Sequence, residues 1–452
     1  MTQYQGLPQN TNRTDYQNLD QADGLLNDRD EYLLTEDDYL DHHLNINNGD
    51  TKASEGSQRM RYMLAGLALL VCLITFVVQT EAAGYLATTL NYKKPIFMLY
   101  VTHSSWVFLW PLQILILRIR KRYLPFRTFF RLHLDNVLTT AQMITDINKE
   151  KSEGVMHHHR KPSGSAVPEF HSPYGDQSPL IAILKVCLVL FCALTIAGSS
   201  WYIAINLTTT SDITAIYNCS AFFAYAFSVP LLREAFKWDK AVSVILAMAG
   251  VFIVAYGGES QDNDSDKYPY RLSGNLVIGI GAVLYGLYEV LYKRLACPPS
   301  TVSPRRQAAF ANVVGSGIGL CTLSILWIIL PILHFTGIET FELPRGEILW
   351  LLILSVVTNM LFSGGMLVLM SLTSPVLSSV ASLLTIFIVA IVDWLLFSTP
   401  VSLAGIIGGI FIIIAFVMLS VATWRELAAE EEEGQELENE YRERELLRDE
   451  GV

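Results

Sequence analysis

"TSPVLSSVASLLTIFIVAIVDWL", residues 373–395, is apolar enough to sit in lipid, yet Ser378, Ser382, Thr385 and Asp393 fall on one flank when each residue turns the helix by 100°, with Asp393 about 60° from Ser378. A stretch of the same design lies earlier in the chain. "TSDITAIYNCSAFFAYAFSVPLL", residues 210–232, overlays it from the Thr-Ser turn onward, and after a three-residue slip "AGVFIVAY" falls on "AFVMLSVA". Each copy is a Thr-Ser turn, an apolar span, a short loop and a closing span. The chain is therefore read as a duplication within a membrane protein.

Composition agrees with that reading. Of 452 residues, 51% are hydrophobic and 17% charged, too apolar for an ordinary soluble domain. The formal charge of -11 comes from the ends: residues 1–59 and 425–452 each hold 4 Lys/Arg against 12 Asp/Glu, which leaves the middle net positive. Both ends read as solvated acidic arms, the second with intermittent helix. No basic face with interleaved aromatics stands outside the apolar runs, so no nucleic-acid partner is expected. The six cysteines show no C-x-x-C spacing, no metal cluster is implied, and no cofactor is called for. No secretory leader opens the chain, so the first span is expected to act as its own insertion signal.

A helix of about 20 apolar residues crosses the hydrocarbon layer. By that measure ten spans are expected, at 62–82, 95–117, 180–204, 212–231, 240–257, 272–293, 308–333, 347–370, 376–397 and 401–423. Five spans per copy is an odd number, so the second half enters the membrane from the opposite side, the inverted repeat of many secondary transporters. The domain reading follows: an acidic arm (1–59), a first five-helix repeat (60–257, with a basic loop at 118–179), an acidic loop (258–271), a second repeat (272–424) and a second acidic arm (425–452). "RIRKRYLPFR", "REAFKWDK" and "KRLACPPSTVSPRR" gather the cations on one side, which by the positive-inside rule is cytosolic together with both termini. "GGESQDNDSDKYPY" then faces the lumen or the outside, where Asn263 opens an N-D-S acceptor triplet. The stretch "RYLPFRTFFRLHLDNVLTTAQMI" is either an amphipathic helix in the headgroup layer or an ordinary basic loop.

At the repeated stretches, and at "GYLATTLNYKKPIFMLYVTHSS", the chain resembles the drug/metabolite transporter superfamily, in particular its EamA-type repeat and fungal carriers related to the nucleotide-sugar and thiamine-pathway branches. The likeness runs over residues 60–424. It implies an all-α fold of ten helices in two inverted halves, an endomembrane location in vacuole or Golgi rather than plasma membrane, and transport of a small molecule. One departure stands out: "SVASLLTIF" occupies the place where nucleotide-sugar carriers have a lysine-bearing motif.

Intramembrane polar residues are expensive and mark pathways or partners. Helix six carries Gly281, Tyr285, Tyr288, Glu289 and Tyr292 at helical spacing, a stripe of flat rings suited to a planar or cationic solute. Its plainer readings are an interfacial belt for Tyr292 and a local i,i+4 ion pair between Glu289 and Lys293. Tyr217, Asn218 and Tyr225 in helix four, with Ser378, Ser382 and Thr385 in helix nine, complete the candidate cavity; the competing reading of the hydroxyls is close helix packing. His103 and Asp393 are the coupling candidates, and no residue is assigned a catalytic role. Gln79, Glu81, Asn312 and Asn359 rank lower as pore residues. No HExxH, nucleophile elbow or phosphate-binding loop occurs in the spans. The expected function is secondary transport of a neutral, zwitterionic or cationic metabolite by alternating access. The alternatives are a nucleotide-sugar-type antiporter and a non-transporting scaffold, and the oligomeric state stays open.

Overall fold

The computed structural model describes residues 51–92, 94–153, 179–204, 207–208, 210–257, 270–299, 302–397 and 403–449. Asn263 and the N-terminal acidic arm up to residue 50 lie outside these residues, as does the side chain of Asp393. Among the described residues every regular element is helical: α1 (Thr51–Thr88), α2 (Pro95–Ser104), α3 (Leu109–Arg120), α4 (Phe126–Glu153), α5 (Pro179–Ala204), α6 (Thr210–Tyr217), α7 (Ser220–Leu232), α8 (Trp238–Tyr256), α9 (Arg271–Ala296), α10 (Pro304–Ile325), α11 (Ile329–Phe335), α12 (Glu347–Leu372), α13 (Pro375–Phe397) and α14 (Leu403–Asp449).

Eight of these helical stretches are long and apolar enough to cross a membrane, among them Pro95–Arg120, which joins α2 to α3, and Pro304–Phe335, which joins α10 to α11. At the remaining two expected positions the chain is also helical, as α8 and α13. The protein is an all-α polytopic membrane protein.

Three expectations need correction. Residues 95–117 are not one uniform helix, because a 3-10 turn at Ser105–Phe108 separates α2 from α3. Residues 212–231 are broken too: at Asn218 and Cys219 the backbone tightens to three-residue hydrogen bonds, Cys219 N to Ile216 O, Ala221 N to Asn218 O and Phe222 N to Cys219 O. The C-terminal acidic segment, read as an arm with intermittent helix, is continuous helix, since α14 runs through it to Asp449, as its Glu-, Leu- and Arg-rich composition favours. The ambiguous basic stretch resolves as the helix α4.

The helices pack in a definite pattern. α1 lies along α12 and α5 along α9; α9 also meets α7, and α13 meets α1 and α7. The α2–α3 span meets α10, and α8 runs beside α14. Small residues set the closest crossings, as expected where lipid supplies no hydrophobic drive between helices. A Cβ on Gly250 of α8 would lie 2.7 Å from the carbonyl oxygen of Gly408 in α14, and a Cβ on Gly408 would lie 2.5 Å from that of Gly250. The 3-10 turn is held in the same way, because a Cβ on Gly319 of α10 would stand 2.4 Å from Val107 N. There Ser316 Oγ accepts from Trp110 N at 2.8 Å and lies 3.0 Å from Val107 O, so α10 supplies partners for backbone that the tightened turn leaves over.

Candidate functional site

α9 is the central element of the candidate site. Gly286 lets it press against α7, since a Cβ there would meet Ala224 N and Ser220 O at 2.8 Å. That approach places Tyr285 beside the break between α6 and α7. The rings of Tyr217 and Tyr285 lie 5.4 Å apart between centroids, and those of Tyr285 and Tyr288 5.8 Å apart. Three of the sequence candidates therefore form one aromatic chain, with Asn218 in the adjacent break.

Glu289 follows directly in sequence and is 0% exposed. Its partner is Ser379 of α13, whose hydroxyl donates to Oε2. Among the described residues Oε1 has no hydrogen-bond partner. The expected local pair with Lys293 is not formed. Lys293 Nζ instead donates to the carbonyls of Met370, Ser371 and Thr373, at 3.1, 2.9 and 2.8 Å, where α12 ends and leaves acceptors over. Tyr292 is no interfacial belt residue: it is 0% exposed and donates to Leu367 O at 3.0 Å.

The hydroxyls of Ser378, Ser382 and Thr385, read as lining the cavity or as allowing close helix packing, bond within α13. Ser378 Oγ lies 2.9 Å from Ser374 O and 3.0 Å from Pro375 O, Ser382 donates to Ser379 O at 2.6 Å, and Thr385 donates to Ser382 O. These three side chains return their hydrogen bonds to their own helix, which is how Ser and Thr hide a hydroxyl in apolar surroundings. Ser379, one residue off the ladder and absent from the sequence candidates, makes the cross-helix contact.

Tyr225 and His103 stand apart from this cluster. Tyr225 OH donates to Lys237 O at 2.9 Å and accepts from Lys237 N at 3.1 Å, closing the turn between α7 and α8. His103 Nδ1 lies 3.1 Å from Leu99 O in its own helix and its ring stacks on Trp106, whose Nε1 donates to Asn359 at 2.9 Å. Asn312 donates to Gln113 at 2.8 Å. Asn312 and Asn359 thus join the second span to α10 and α12.

A second polar cluster went unseen in the sequence. Asp212, 1% exposed at the start of α6, accepts from Arg271 Nε at 2.6 Å and Arg271 Nη2 at 3.0 Å, from Tyr256 OH at 2.8 Å, from Asn275 Nδ2 at 3.1 Å and from Thr208 Oγ1 at 2.9 Å. Burial works against the charged carboxylate. The hydrogen bonds from Arg271, Tyr256, Asn275 and Thr208 outweigh it and hold the carboxyl below the usual carboxylate range. An acid in the first turn of α6, three residues ahead of the apolar span that begins at Ala215, and an arginine opening α9 were the available signal, but 59 residues separate them.

No family model matches the chain. An uncharacterized transporter of Schizosaccharomyces pombe is 29% identical over 253 residues, covering 55% of this chain and 71% of that protein. The thiamine-repressible mitochondrial transport protein of Saccharomyces cerevisiae is 25% identical over 364 residues, 79% of this chain and 92% of its own length. Human solute carrier family 35 member F3 is 26% identical over 196 residues, 42% of each chain. These three relatives are two fungal transport proteins and a solute carrier of family 35.

Proposed function

We infer that the protein is a membrane transporter, a secondary carrier of the drug/metabolite type that moves a small organic solute by alternating access between two inverted five-helix halves. Three lines support the reading. Relatives that align with most of the chain are transport proteins. Among the main contacts between the ten helical positions, numbered in chain order, are the pairs 1–8 and 3–6, 4–6 and 1–9, 2–8 and 3–7, 7–8 and 2–3, 9–10 and 4–5, with 2–7, 4–9 and 5–10. Advancing every number by five maps this set onto itself, as a repeat of five requires. The broken helices α2–α3 and α6–α7 add the interrupted backbone that transporters keep near their sites.

The observation that carries the site is the unmatched Oε1 of Glu289. A buried carboxyl oxygen left without a donor costs about 1–3 kcal/mol, and more when the group is ionised, unless a donor or cation meets it. Tyr217, Tyr285 and Tyr288 offer ring faces beside it, which attract cations as well as stacking on planar groups. The proposed cargo is therefore a neutral or cationic organic molecule whose donor group meets Oε1 while its body lies on the tyrosines. Tyr217 comes from the first half, and Tyr285, Tyr288, Glu289 and Ser379 from the second, so rocking of the halves opens the site. We place both termini in the cytosol and the protein in an endomembrane.

The test is a melting-temperature screen of the purified protein against metabolite pools, followed by uptake of each hit into proteoliposomes. A true cargo raises stability by mass action and is taken up. Glu289→Gln should abolish the response to cationic hits while leaving the melting of the empty protein near its original value. Hits that bind Glu289→Gln as well as the parent would overturn the assignment of the site.

A further inference from the structure

The arginines that follow the second span are more than markers of topology. Leu115, Ile116 and Ile119 near the end of α3 are exposed apolar side chains of a membrane span. Arg120 ends the apolar span and Arg122 follows it by two residues in the turn, the place where hydrocarbon is expected to give way to headgroups. Both are exposed, as are Arg127 and Arg131 on the first turns of α4.

Aromatic rings lie among these cations. Tyr123 and Phe126 are 65% and 60% exposed, and Phe126 stacks on Phe130 at 6.2 Å. The turn is rigid. Arg118 stands over Phe126 and Phe129 at 5.9 and 5.8 Å and donates to Lys121 O and Leu124 O, while Leu124 and Phe129 are buried. α4 itself is clamped to the bundle, with Val137, Ala141 and Ile144 in the core, Trp110 Nε1 3.0 Å from His133 Nε2, and Arg306 donating to Thr139 and Thr140. The single acid on residues 126–136 is Asp135. Four exposed arginines and three aromatic rings are thus held on a fixed turn continuous with a lipid-facing surface.

We propose that Arg120, Arg122, Arg127 and Arg131, with Tyr123 and Phe126, form a binding site for the headgroup of an anionic phospholipid in the adjoining leaflet. Continuity with the lipid-facing surface selects a lipid over a soluble partner. The aromatic rings reach the acyl boundary while guanidinium groups take the phosphate. A basic residue near a membrane surface contributes about 1 kcal/mol toward anionic lipid, roughly a fivefold change in affinity.

The purified full chain in neutral detergent should be titrated separately with dioctanoyl-phosphatidylserine, dioctanoyl-phosphatidylcholine and inorganic phosphate, following melting temperature. Phosphatidylserine should raise it saturably, and the other two should not. Arg127→Gln and Arg131→Gln, both on the exposed side of a clamped helix, should each weaken the response about fivefold, and the fourfold Arg→Lys variant should retain most of it. Equal effects of the two lipids, an equal effect of phosphate, or unchanged affinity in the glutamine variants would overturn the proposal.

Discussion

Replacing Asp212 by asparagine tests the buried cluster at the start of α6. The carboxylate accepts from Arg271 through both of its oxygens, Oδ2 from Nε and Oδ1 from Nη2. Either placement of the asparagine amide therefore sets an NH2 group against a guanidinium donor, and the other donors on that atom lose their acceptor as well. Breaking a buried pair from one side costs about 3–5 kcal/mol. Arg271 keeps 28% of its side chain exposed and can regain water, so the cost should fall toward about 2–4 kcal/mol. Melting of the purified protein, followed by intrinsic fluorescence, should drop by several degrees. The pH dependence carries the sign. A carboxyl whose folded pKa is depressed contributes fully above its unfolded value of about 3.9, and the contribution is lost as pH falls through the folded value. The gap between parent and Asp212→Asn should be constant from pH 7 to 5 and close only in strong acid. A variant that melts within a degree of the parent at pH 7 would refute the reasoning.

Further outcomes follow from the same geometry. Ser379→Ala, which removes the donor to Glu289 Oε2, should impair uptake of any identified cargo severalfold, whereas Ser378→Ala, whose hydroxyl serves only its own helix, should leave uptake near the parent level. Gly408→Ala should sharply lower the yield of folded protein on size-exclusion chromatography, because its Cβ would stand 2.5 Å from the backbone of α8. Gly66→Ala, with nothing within 4 Å, should be neutral or stabilise by up to about 1 kcal/mol in thermal melts. Tyr292→Phe should cost about 1 kcal/mol of stability through loss of the bond to Leu367 O, without altering cargo affinity.

The sequence by itself determined the class of protein, the places of its apolar spans and the residues that are costly to bury. Crossing a bilayer is decided by some twenty consecutive side chains, a local property that can be read one window at a time. The aromatic stripe of α9 was legible for the same reason, because helical periodicity puts Tyr285, Tyr288 and Glu289 on neighbouring positions of one surface. The tertiary structure decided which polar groups speak to another helix. Ser378 and Ser379 are alike in chemistry and adjacent in sequence, yet they point about 100° apart, and only the position of α9 makes Ser379 the donor to Glu289. Lys293 could reach Glu289 along its own helix, but the carbonyls at the end of α12 satisfy it instead. Asp212 and Arg271 meet because α9 packs beside α6. Such partnerships depend on which faces two helices turn toward each other, and that orientation is set by close contacts such as Gly286 on α7 and Gly408 on Gly250, which no single window of sequence contains.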